Sequence, residues 1–518
     1  MIICGVGIGY HPSLTLMEDG KIIYYNEERK LSKFKNISGI PYRCIDQINS
    51  YKLDEVYVTS YDWDKDNLLN LKNYLKYKKV LNKDKDVYSL YKPHHLSHMF
   101  KAYVDSGFPY ARVFVLDGRG SKWGDGVEIC SIYDVNLPEV NCIYKKIYNK
   151  HNKNIDRGKN ETSINENTLF ETTEYLSLGT LYAIVSEHFG FHNEEGKFMG
   201  LQSYGNIDEN LLKKFINGVN EKQLNEIPTT LNAARTTQAF FEKEYIDLVK
   251  KYQSNYMVFT GGATLNVVNN YKIIKEFFNK NIYFEPLCGD EGNSIGAAYF
   301  HYLKKEQKIF TDNNIYLGQE IIIDRSLLKN EFSEKNVSTE DVIDLLKNGE
   351  IVGLIQGKAE GGPRALGNRS LLLDPTLKDA KDKMNIIKKR ENFRPFACSI
   401  LEEKLNEFFH TIGISKSPHM MIAPQAKEKT KIMTPSIVHV DGTCRVQTVS
   451  EKDNKNLYEL LKNFKLPILM NTSFNLAGYP MVETFEDILL TLKNSSLRYV
   501  YFANEKKLLI KNVKNNSM

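Results

Sequence analysis

The sequence predicts an α/β protein with at least two domains. Two runs of residues typical of β-strands end at Asp or Gly, and each is followed directly by another element. They are RVFVLDGRG (112–120) and YMVFTGGATLNVVNN (256–270). Residues just beyond the carboxyl end of a strand are where ligands bind in open α/β sheets. The length of 518 residues exceeds what a single hydrophobic core organises, so the chain is expected to divide.

The opening of the chain predicts a strand, a polar turn and a hairpin. Residues 2–8 are apolar and are followed by a turn over residues 9–12. The stretch SLTLMEDGKIIYYNEE (13–28) then contains Asp19-Gly20, a dipeptide typical of tight β-hairpins.

Composition and charge favour a soluble cytoplasmic protein that acts on small molecules. The mean hydropathy is −0.41, and no apolar stretch is long enough to cross a membrane. The formal charge of +5 comes from 69 basic and 64 acidic residues, which argues against a dedicated nucleic-acid surface. The seven cysteines form no CxxC pair, as expected for reduced thiols.

Two segments interrupt the regular patterning. Residues 145–168 are rich in Lys and Asn and predict a surface insertion. Periodicity weakens again after residue 316. The sequence therefore predicts a first domain over 1–316, a linker over 317–337 and a second domain over 338–518.

The stretch PHHLSHMFKAY (93–103) predicts a helix that begins at its histidines, because Pro93 suits a first helical turn. His94 and His98 then lie about 40° apart, opposite the apolar residues of the same helix. One interpretation is a solvated polar face. The other is a metal site, because Asp117 and Asp290 follow strand or turn signals and complete a His2Asp2 set suited to Fe(II), Mn(II) or Zn(II).

A zinc peptidase is excluded at this helix. Such enzymes need a Glu directly after the first histidine, and that position is His95 here. His95 is interpreted as a supporting residue.

Many ordered motifs resemble the O-carbamoyltransferase family of nodulation-factor and antibiotic biosynthesis. They include EER (27–29), PHHLSH (93–98), LDGRG (116–120), GKFMGLQSYG (196–205), FTGGATLN (259–266), GDEGNSIGAA (289–298), EGGPRALGNRS (360–370) and KKRENFRPFA (388–397). The resemblance implies an N-terminal actin/sugar-kinase-like ATPase domain, built as a duplicated ribonuclease-H-like fold, followed by a C-terminal YrdC-like α/β domain.

The resemblance also implies an activity in two steps. The C-terminal domain condenses ATP with carbamoyl phosphate to carbamoyl-adenylate, and the N-terminal metal site transfers the carbamoyl group to a hydroxyl of a sugar, natural product or nucleoside. The metal implied is usually iron, with Mg expected alongside ATP. A homodimer is the default expectation for such an enzyme.

The resemblance gives individual roles to residues of the N-terminal domain. His94, His98, Asp117 and Asp290 match its metal ligands, and His11 matches a histidine that helps to activate the acceptor hydroxyl. Pro12 stands where the family has Asp, which leaves the orientation of that imidazole open. Lys197 is predicted to be catalytic through contact with a phosphate or ribose.

Phosphate sites are predicted in both domains. The Gly261-Gly262 turn lets backbone N–H groups approach nucleotide phosphates, with Gly118 and Asn266 beside it. Cationic and neutral donors in the C-terminal domain are predicted to bind carbamoyl phosphate and the adenylate, since the arginine fork suits phosphate oxygens. These are Arg364, Arg369, Lys388, Arg394, His439, Arg445, Asn471 and Ser473.

Two other functions explain parts of the sequence. A threonylcarbamoyl transferase acting on tRNA fits the balanced charge and the second domain less well. A non-enzymatic actin-like nucleotide-binding protein would explain the Gly turns but leaves the His2Asp2 set without a purpose.

Overall fold

The computed structural model describes residues 1–60, 65–82, 85–89, 92–150, 163–306, 309 and 314–512. The chain forms two compact units, and its main division falls between Asn314 and Ile315. The first unit contains Met1–Ser32 and Asn36–Asn314, and the second contains Lys33–Lys35 and Ile315–Met518.

The first unit mixes strands and helices throughout. Its strands are β1 (Ile2–Tyr10), β2 (Ser13–Glu18), β3 (Lys21–Glu27), β4 (Ser38–Gly39), β5 (Glu55–Ser60), β6 (Val87–Ser89), β7 (Ala111–Leu116), β8 (Lys122–Trp123), β9 (Gly126–Asn136), β10 (Glu139–Tyr148), β11 (Leu169–Thr173), β12 (Tyr256–Thr260) and β13 (Asn281–Phe284). Its helices are α1 (Glu28–Ser32), α2 (Tyr42–Asp46), α3 (Lys65–Tyr77), α4 (His94–Ser106), α5 (Leu178–His188), α6 (Glu195–Leu201), α7 (Glu209–Ile216), α8 (Leu231–Tyr252), α9 (Val267–Glu276) and α10 (Asn293–Glu306).

Two sheets of the first unit repeat one topology. The first sheet has the strand order β3-β2-β1-β5-β6, and the second contains β10-β9-β7-β12-β13. In each, three antiparallel strands are followed by two parallel ones. The duplication implied by the resemblance is therefore visible in the strand order.

Helices α4 and α10 pack closely enough to require glycine at their contact. A Cβ on Gly296 of α10 would lie 1.9 Å from the carbonyl oxygen of Ser97 on α4. This approach brings the helix with the three histidines against the segment that begins at Asp290.

The second unit is built on one mixed sheet with the strand order β14-β23-β22-β15-β16-β21-β17-β20. Its strands are β14 (Phe332–Asn336), β15 (Val352–Ile355), β16 (Arg369–Leu373), β17 (Ala397–Leu401), β18 (Phe409–His410), β19 (Gln425–Ala426), β20 (Val446–Val449), β21 (Ile468–Ser473), β22 (Tyr499–Phe502) and β23 (Lys507–Lys511). Its helices are α11 (Thr339–Lys347), α12 (Ala380–Lys388), α13 (Leu405–Phe408), α14 (Glu428–Met433), α15 (Lys455–Asn463) and α16 (Phe485–Lys493).

Each face of this sheet has its own core. Leu371 and Leu373 of β16 pack into one hydrophobic cluster, whereas Leu372 between them packs into the other. This alternation is the period of a strand that is buried on both faces.

Two boundary predictions are corrected by the strands. The segment predicted as a linker contains β14, which pairs with β23 at the edge of the second sheet. The predicted insertion begins too early, because residues 145–148 complete β10 and Lys145 is fully buried. The centre of that insertion, 151–162, lies outside the described residues. Among the helices in the described ranges, none is both long and apolar enough to cross a bilayer.

Candidate metal centre and anion site

Helix α4 begins at His94, as its sequence predicts, and its histidines are buried. His94, His95 and His98 are each at most 2% exposed. The solvated polar face is therefore the wrong interpretation of this stretch. Imidazoles in a dry interior need polar partners, because an unsatisfied buried polar group is costly.

His94 and His98 meet two carboxylates. The Nε2 atom of His94 lies 2.9 Å from Asp117 Oδ2 and 3.4 Å from Asp290 Oδ1. The Nε2 atom of His98 lies 3.7 and 3.5 Å from the same two oxygens. One ligand atom from each residue lies within 4.8 Å of every other, so the four share one focus.

The geometry of this cluster fits a divalent first-row metal. A metal–ligand bond of about 2.1 Å separates neighbouring ligand atoms by about 3.0 Å in octahedral and about 3.4 Å in tetrahedral coordination. The separations between imidazole nitrogen and carboxylate oxygen, 2.9 to 3.7 Å, fall around these values. Two imidazoles and two carboxylates are also the donor types that Fe(II), Mn(II) and Zn(II) accept.

The electrostatics of this cluster suit a bound cation. Burial disfavours charge on His94, yet the carboxylates of Asp290 and Asp117 raise its pKa to about 10. Burial likewise opposes ionisation of Asp117, but the two histidines hold its pKa well below its usual value. A divalent ion bound to these ligands would displace protons, so its binding is expected to depend on pH.

The Gly turns predicted to bind nucleotide lie beside Asp117. Its Oδ1 atom accepts the backbone N–H of Gly118 at 2.8 Å and of Gly262 at 3.2 Å. Gly261 has a φ of 87°, and a Cβ there would lie 2.2 Å from the carbonyl oxygen of Leu116. The structure therefore brings three of the predicted nucleotide-binding residues next to the metal cluster.

Asn266 and Lys197 are engaged in other contacts. Asn266 caps helix α9 by accepting the N–H of Asn269 at 3.1 Å, and its amide also bonds Gln238. Its prediction as a nucleotide ligand is corrected, because both ends of its side chain are used within the fold. The Lys197 ammonium lies 2.5 Å from the Glu194 carboxylate, so its predicted contact with phosphate would compete with this ion pair.

His11 lies at the end of β1 in an unusual backbone conformation. Its φ is 48°, the left-handed region that residues with a Cβ seldom adopt. Its Nδ1 lies 3.6 Å from the buried carboxylate of Glu291, the neighbour of Asp290 in sequence. The sequence identified His11 but not Glu291, although GDEGNS was among the recognised motifs.

The second unit contains a cluster of cations in a buried setting. Burial lowers the pKa of Arg445 well below its usual value, and the nearby charges of Arg364, Arg390 and Arg394 lower it further. Burial and the charges of Arg390 and Arg394 act in the same way on Lys388. Mutually repelling cations of this kind are stabilised by a bound anion.

Neutral polar groups surround part of this cluster. The Lys388 ammonium donates to the Ser473 hydroxyl at 3.2 Å and to the Asn475 side-chain oxygen at 2.5 Å. Asn471 is fully buried and donates to Ser399 at 2.8 Å. His439 lies in a tight turn, closed by the bond from its own N–H to the Thr443 carbonyl at 2.8 Å.

The prediction for Arg369 is corrected by its contacts. This side chain is fully buried, and its guanidinium donates to the backbone carbonyls of Gln319, Gln356, Gly357 and Asn368. Donors used in this way are not free for carbamoyl phosphate. Arg369 instead stabilises the loop that carries Arg364.

Glu360, which the sequence did not single out, works with Arg369. Its Oε1 atom accepts the backbone N–H groups of Leu366, Asn368 and Arg369 at 2.6, 2.8 and 3.2 Å. The Glu360 carboxylate thus binds the N–H groups of the loop, and the Arg369 guanidinium binds its carbonyl groups. The position of Arg364 depends on both.

Fold and site together define a two-unit α/β protein with a candidate metal centre in one unit and a candidate anion site in the other. Family models agree with this division. The model of the carbamoyltransferase N-terminus matches residues 21–251 and 217–299, and that of the C-terminus matches residues 343–508. The chain belongs to the carbamoyltransferase family.

Individual relatives span much of the chain. Protein MJ1051 of Methanocaldococcus jannaschii is 31% identical over 93% of this chain and 94% of its own length. Nodulation protein NolO of Bradyrhizobium diazoefficiens is 29% identical over 78% of this chain and 76% of its own. The 3'-hydroxymethylcephem-O-carbamoyltransferase of Amycolatopsis lactamdurans is 28% identical over 50% of each chain.

Solved structures are more distant. Full-length HypF in its phosphate- and nucleotide-bound form aligns with 60% of this chain and 56% of its own, at 15% identity and a TM-score of 0.39.

Proposed function

We propose that this protein is an O-carbamoyltransferase that uses ATP and carbamoyl phosphate. In the second unit, water cleaves carbamoyl phosphate to carbamate and inorganic phosphate, a carbamate oxygen attacks the α-phosphorus of ATP, and pyrophosphate leaves, which gives carbamoyl-adenylate. The first unit then transfers the carbamoyl group to a hydroxyl of a small molecule. Family membership supports the group transferred. The observation that carries the proposal is the convergence of His94, His98, Asp117 and Asp290 on one point.

The second unit supplies charge for the first reaction. Carbamoyl phosphate and ATP bring several negative charges together, and the repulsion between them must be offset. Lys388 is a buried cation and Arg445 a partly buried one, and the neighbours of both are also cations. A phosphate bound there removes that repulsion, so the free energy of binding is large and specific for anions.

The first unit supplies a base and a charge-stabilising site for the second reaction. The acceptor oxygen attacks the carbamoyl carbon, the bond from that carbon to the phosphate oxygen breaks, and AMP leaves. An alcohol needs a base to take its proton as it attacks, and His11 is proposed for this task. A bound divalent ion would polarise the carbamoyl oxygen, and Fe(II) is proposed, with Mn(II) or Zn(II) compatible with the same ligands.

Backbone donors next to Asp117 are proposed to hold the phosphate of the adenylate. Gly118, Gly261 and Gly262 present main chain without side chains at this position, which allows close approach of a phosphate. The N–H groups of Gly118 and Gly262 donate to Asp117 Oδ1, so a phosphate oxygen would compete with that carboxylate for them. Mg is proposed to accompany ATP in the second unit.

The proposal is tested by incubating the full chain with ATP, carbamoyl phosphate, Fe(II) and a panel of alcohols under anaerobic conditions. Carbamoyl-phosphate-dependent release of pyrophosphate, together with an acceptor heavier by one carbamoyl group, is expected. Pyrophosphate release that does not depend on carbamoyl phosphate would contradict the first step. Carbamoylation that persists after removal of all divalent metal from the first unit would contradict the second.

A further inference from the structure

Among the described residues, the segment that leads into helix α4 supplies no side-chain cap. Pro93 precedes the first helical residue and supplies no side-chain hydrogen bond. The first N–H groups of a helix have no partner within it, and such groups are costly when they are buried without an acceptor. His94 and His95 are buried, so their N–H groups need acceptors from elsewhere in the unit.

Two side chains outside the helix provide these acceptors. The Ser121 hydroxyl accepts the N–H of His94 at 3.1 Å, and Glu128 Oε1 accepts the N–H of His95 at 3.3 Å. The same Glu128 oxygen accepts the N–H of Ser121 at 2.9 Å. One carboxylate oxygen therefore bonds both the start of α4 and the loop that leads away from Asp117.

Backbone bonds hold this loop to strand β9, where Glu128 lies. Gly120 donates to the Glu128 carbonyl at 2.8 Å, and the Glu128 N–H donates to the Ser121 carbonyl at 3.0 Å. A Cβ on Gly120 would lie 2.5 Å from Glu128 Cγ and 2.7 Å from His95 Nε2. The loop thus lies directly against the carboxylate side chain and the helix start.

A buried ion pair fixes the Glu128 side chain. Its second oxygen, Oε2, accepts from the Lys145 ammonium at 2.8 Å, and both side chains are fully buried. Lys145 also lies over the Trp123 ring, 4.5 Å from its centroid. With one oxygen held by Lys145, the other keeps a constant direction towards the helix and the loop.

We propose that Glu128 is a positioning residue that caps α4 from strand β9 and thereby sets the distance between the histidines of the helix and Asp117. It touches neither the metal focus nor a reacting atom. The inference rests on the proposed function in one respect, since it takes the four-residue cluster to be a metal centre.

The test compares two double variants with wild type in the full chain. Glu128→Gln/Lys145→Met keeps an amide oxygen as the cap and removes both buried charges. Glu128→Leu/Lys145→Met has the same charge and similar volume but no acceptor. Supporting groups of this kind typically change metal affinity by about 10- to 100-fold.

Mn(II) alone is the probe, titrated into metal-free protein and followed by electron paramagnetic resonance. The Leu/Met variant is expected to bind Mn(II) about 10- to 100-fold more weakly than wild type, and the Gln/Met variant within about threefold of it. Melting temperatures of both variants are measured in parallel. If both variants lose stability to the same extent, that loss cannot explain a difference between their affinities for Mn(II).

The possible failures are distinguishable. If wild type binds no divalent metal, the metal centre of the proposed function fails and Glu128 has nothing to position. If wild type binds Mn(II) and the Leu/Met variant binds it equally well, or both variants lose affinity alike, the positioning role alone is overturned. Should the Leu/Met variant not fold, Glu128→Asp decides the question, because it keeps the charge beside Lys145 but shortens the side chain by one methylene and withdraws the acceptor oxygen from the N–H groups of His95 and Ser121. An affinity about 3- to 10-fold weaker supports the inference, and an unchanged affinity overturns it.

Discussion

His11 Nδ1 lies 3.6 Å from Glu291 Oε2, so the imidazole has a carboxylate at its side although Pro12 follows it in the chain. Glu291 is 2% exposed, and its pKa is lowered to about 2: burial opposes ionisation, but His11 and the charge of Arg29 outweigh it. The other ring nitrogen, Nε2, is buried and has no hydrogen-bond partner among the described residues. A carboxylate on one nitrogen leaves the other available as a base.

Glu291→Gln is therefore expected to slow carbamoyl transfer. The amide does not stabilise the imidazolium that forms when His11 takes the acceptor proton, so kcat should fall by about 10- to 100-fold. KM for the acceptor should change little. The measurement is steady-state transfer from preformed carbamoyl-adenylate, with metal content determined on the same samples. A decrease in kcat that follows a loss of metal would show that Glu291 acts through Asp290 instead.

His98→Gln is expected to empty the metal centre without affecting the second unit. The imidazole nitrogen lies 3.5 Å from Asp290 Oδ1, and a glutamine amide does not reproduce its geometry or its affinity for a divalent ion. Metal content by mass spectrometry should fall below a tenth of the wild-type value, and transfer should fall at least about a hundredfold. Formation of carbamoyl-adenylate should persist. His192→Gln, at an exposed position, is the control. Retention of metal by the His98 variant would exclude His98 as a ligand.

Arg445→Met is expected to stabilise the anion-free protein while it abolishes anion binding. Arg445 is partly buried beside other cations, and its buried Nε has no hydrogen-bond partner in the described part of the chain. Removing such a charge should raise the melting temperature by about 2–4 °C. Pyrophosphate should raise the melting temperature of wild type but not of the variant. Lys389→Asn removes a charge from an exposed position nearby and should show neither effect. If Arg445→Met has a lower melting temperature than wild type, repulsion between Arg445 and its neighbouring cations does not destabilise the anion-free protein.

The cluster of His94, His98, Asp117 and Asp290 shows how far the sequence alone leads. Helical spacing places His94 and His98 on one face, and a strand end predicts that Asp117 lies at a ligand-binding edge. The burial of that face depends on contacts with α10, which lies almost 200 residues further along the chain. The Asp19-Gly20 dipeptide predicts the early hairpin, and both of its residues have positive φ in the structure.

The supporting carboxylates could not be predicted, for a physical reason. Each of these carboxylates contacts backbone N–H groups or a single imidazole that long-range folding brings to it. They are Glu128, Glu291 and Glu360. No sequence pattern distinguishes a Glu that binds such buried groups from a Glu that is exposed to solvent. The same limit led to the wrong prediction for Arg369, because sequence records a guanidinium but not the carbonyls that surround it.

His301 is expected to make the first unit less stable at acidic pH. It is 9% exposed and stacks on Tyr57 with ring centroids 3.2 Å apart. Burial, and then the charges of Lys304 and Lys305, lower its pKa from 6.5 to about 3. Between these values the unfolded chain binds a proton that the folded chain does not, so stability decreases as pH falls from 6.5 towards 3.

His301→Phe keeps the stacked ring and removes this titration. The loss of unfolding free energy between pH 8 and pH 5 should therefore be smaller in the variant by about 1–2 kcal/mol. Urea denaturation at several pH values measures this difference. His192→Phe, at an exposed position, is the control. An equal pH dependence in wild type and His301→Phe would show that the folded protein protonates His301 readily.

Arg364 and Arg369 belong to one motif, and their replacement by Lys should separate binding from stability. The Arg369 guanidinium donates to four carbonyls in different directions, which a single ammonium cannot satisfy. Arg369→Lys should therefore lower the unfolding free energy of the second unit by at least about 2 kcal/mol.

Arg364→Lys should leave the unfolding free energy within about 0.5 kcal/mol of wild type and weaken the binding of carbamoyl phosphate, because a point charge replaces a bidentate donor. Urea denaturation and calorimetric titration of carbamoyl phosphate distinguish the two. If Arg369→Lys proves stable but fails to bind carbamoyl phosphate, Arg369 is a ligand after all, and its bonds to the loop carbonyls are not what stabilises the second unit.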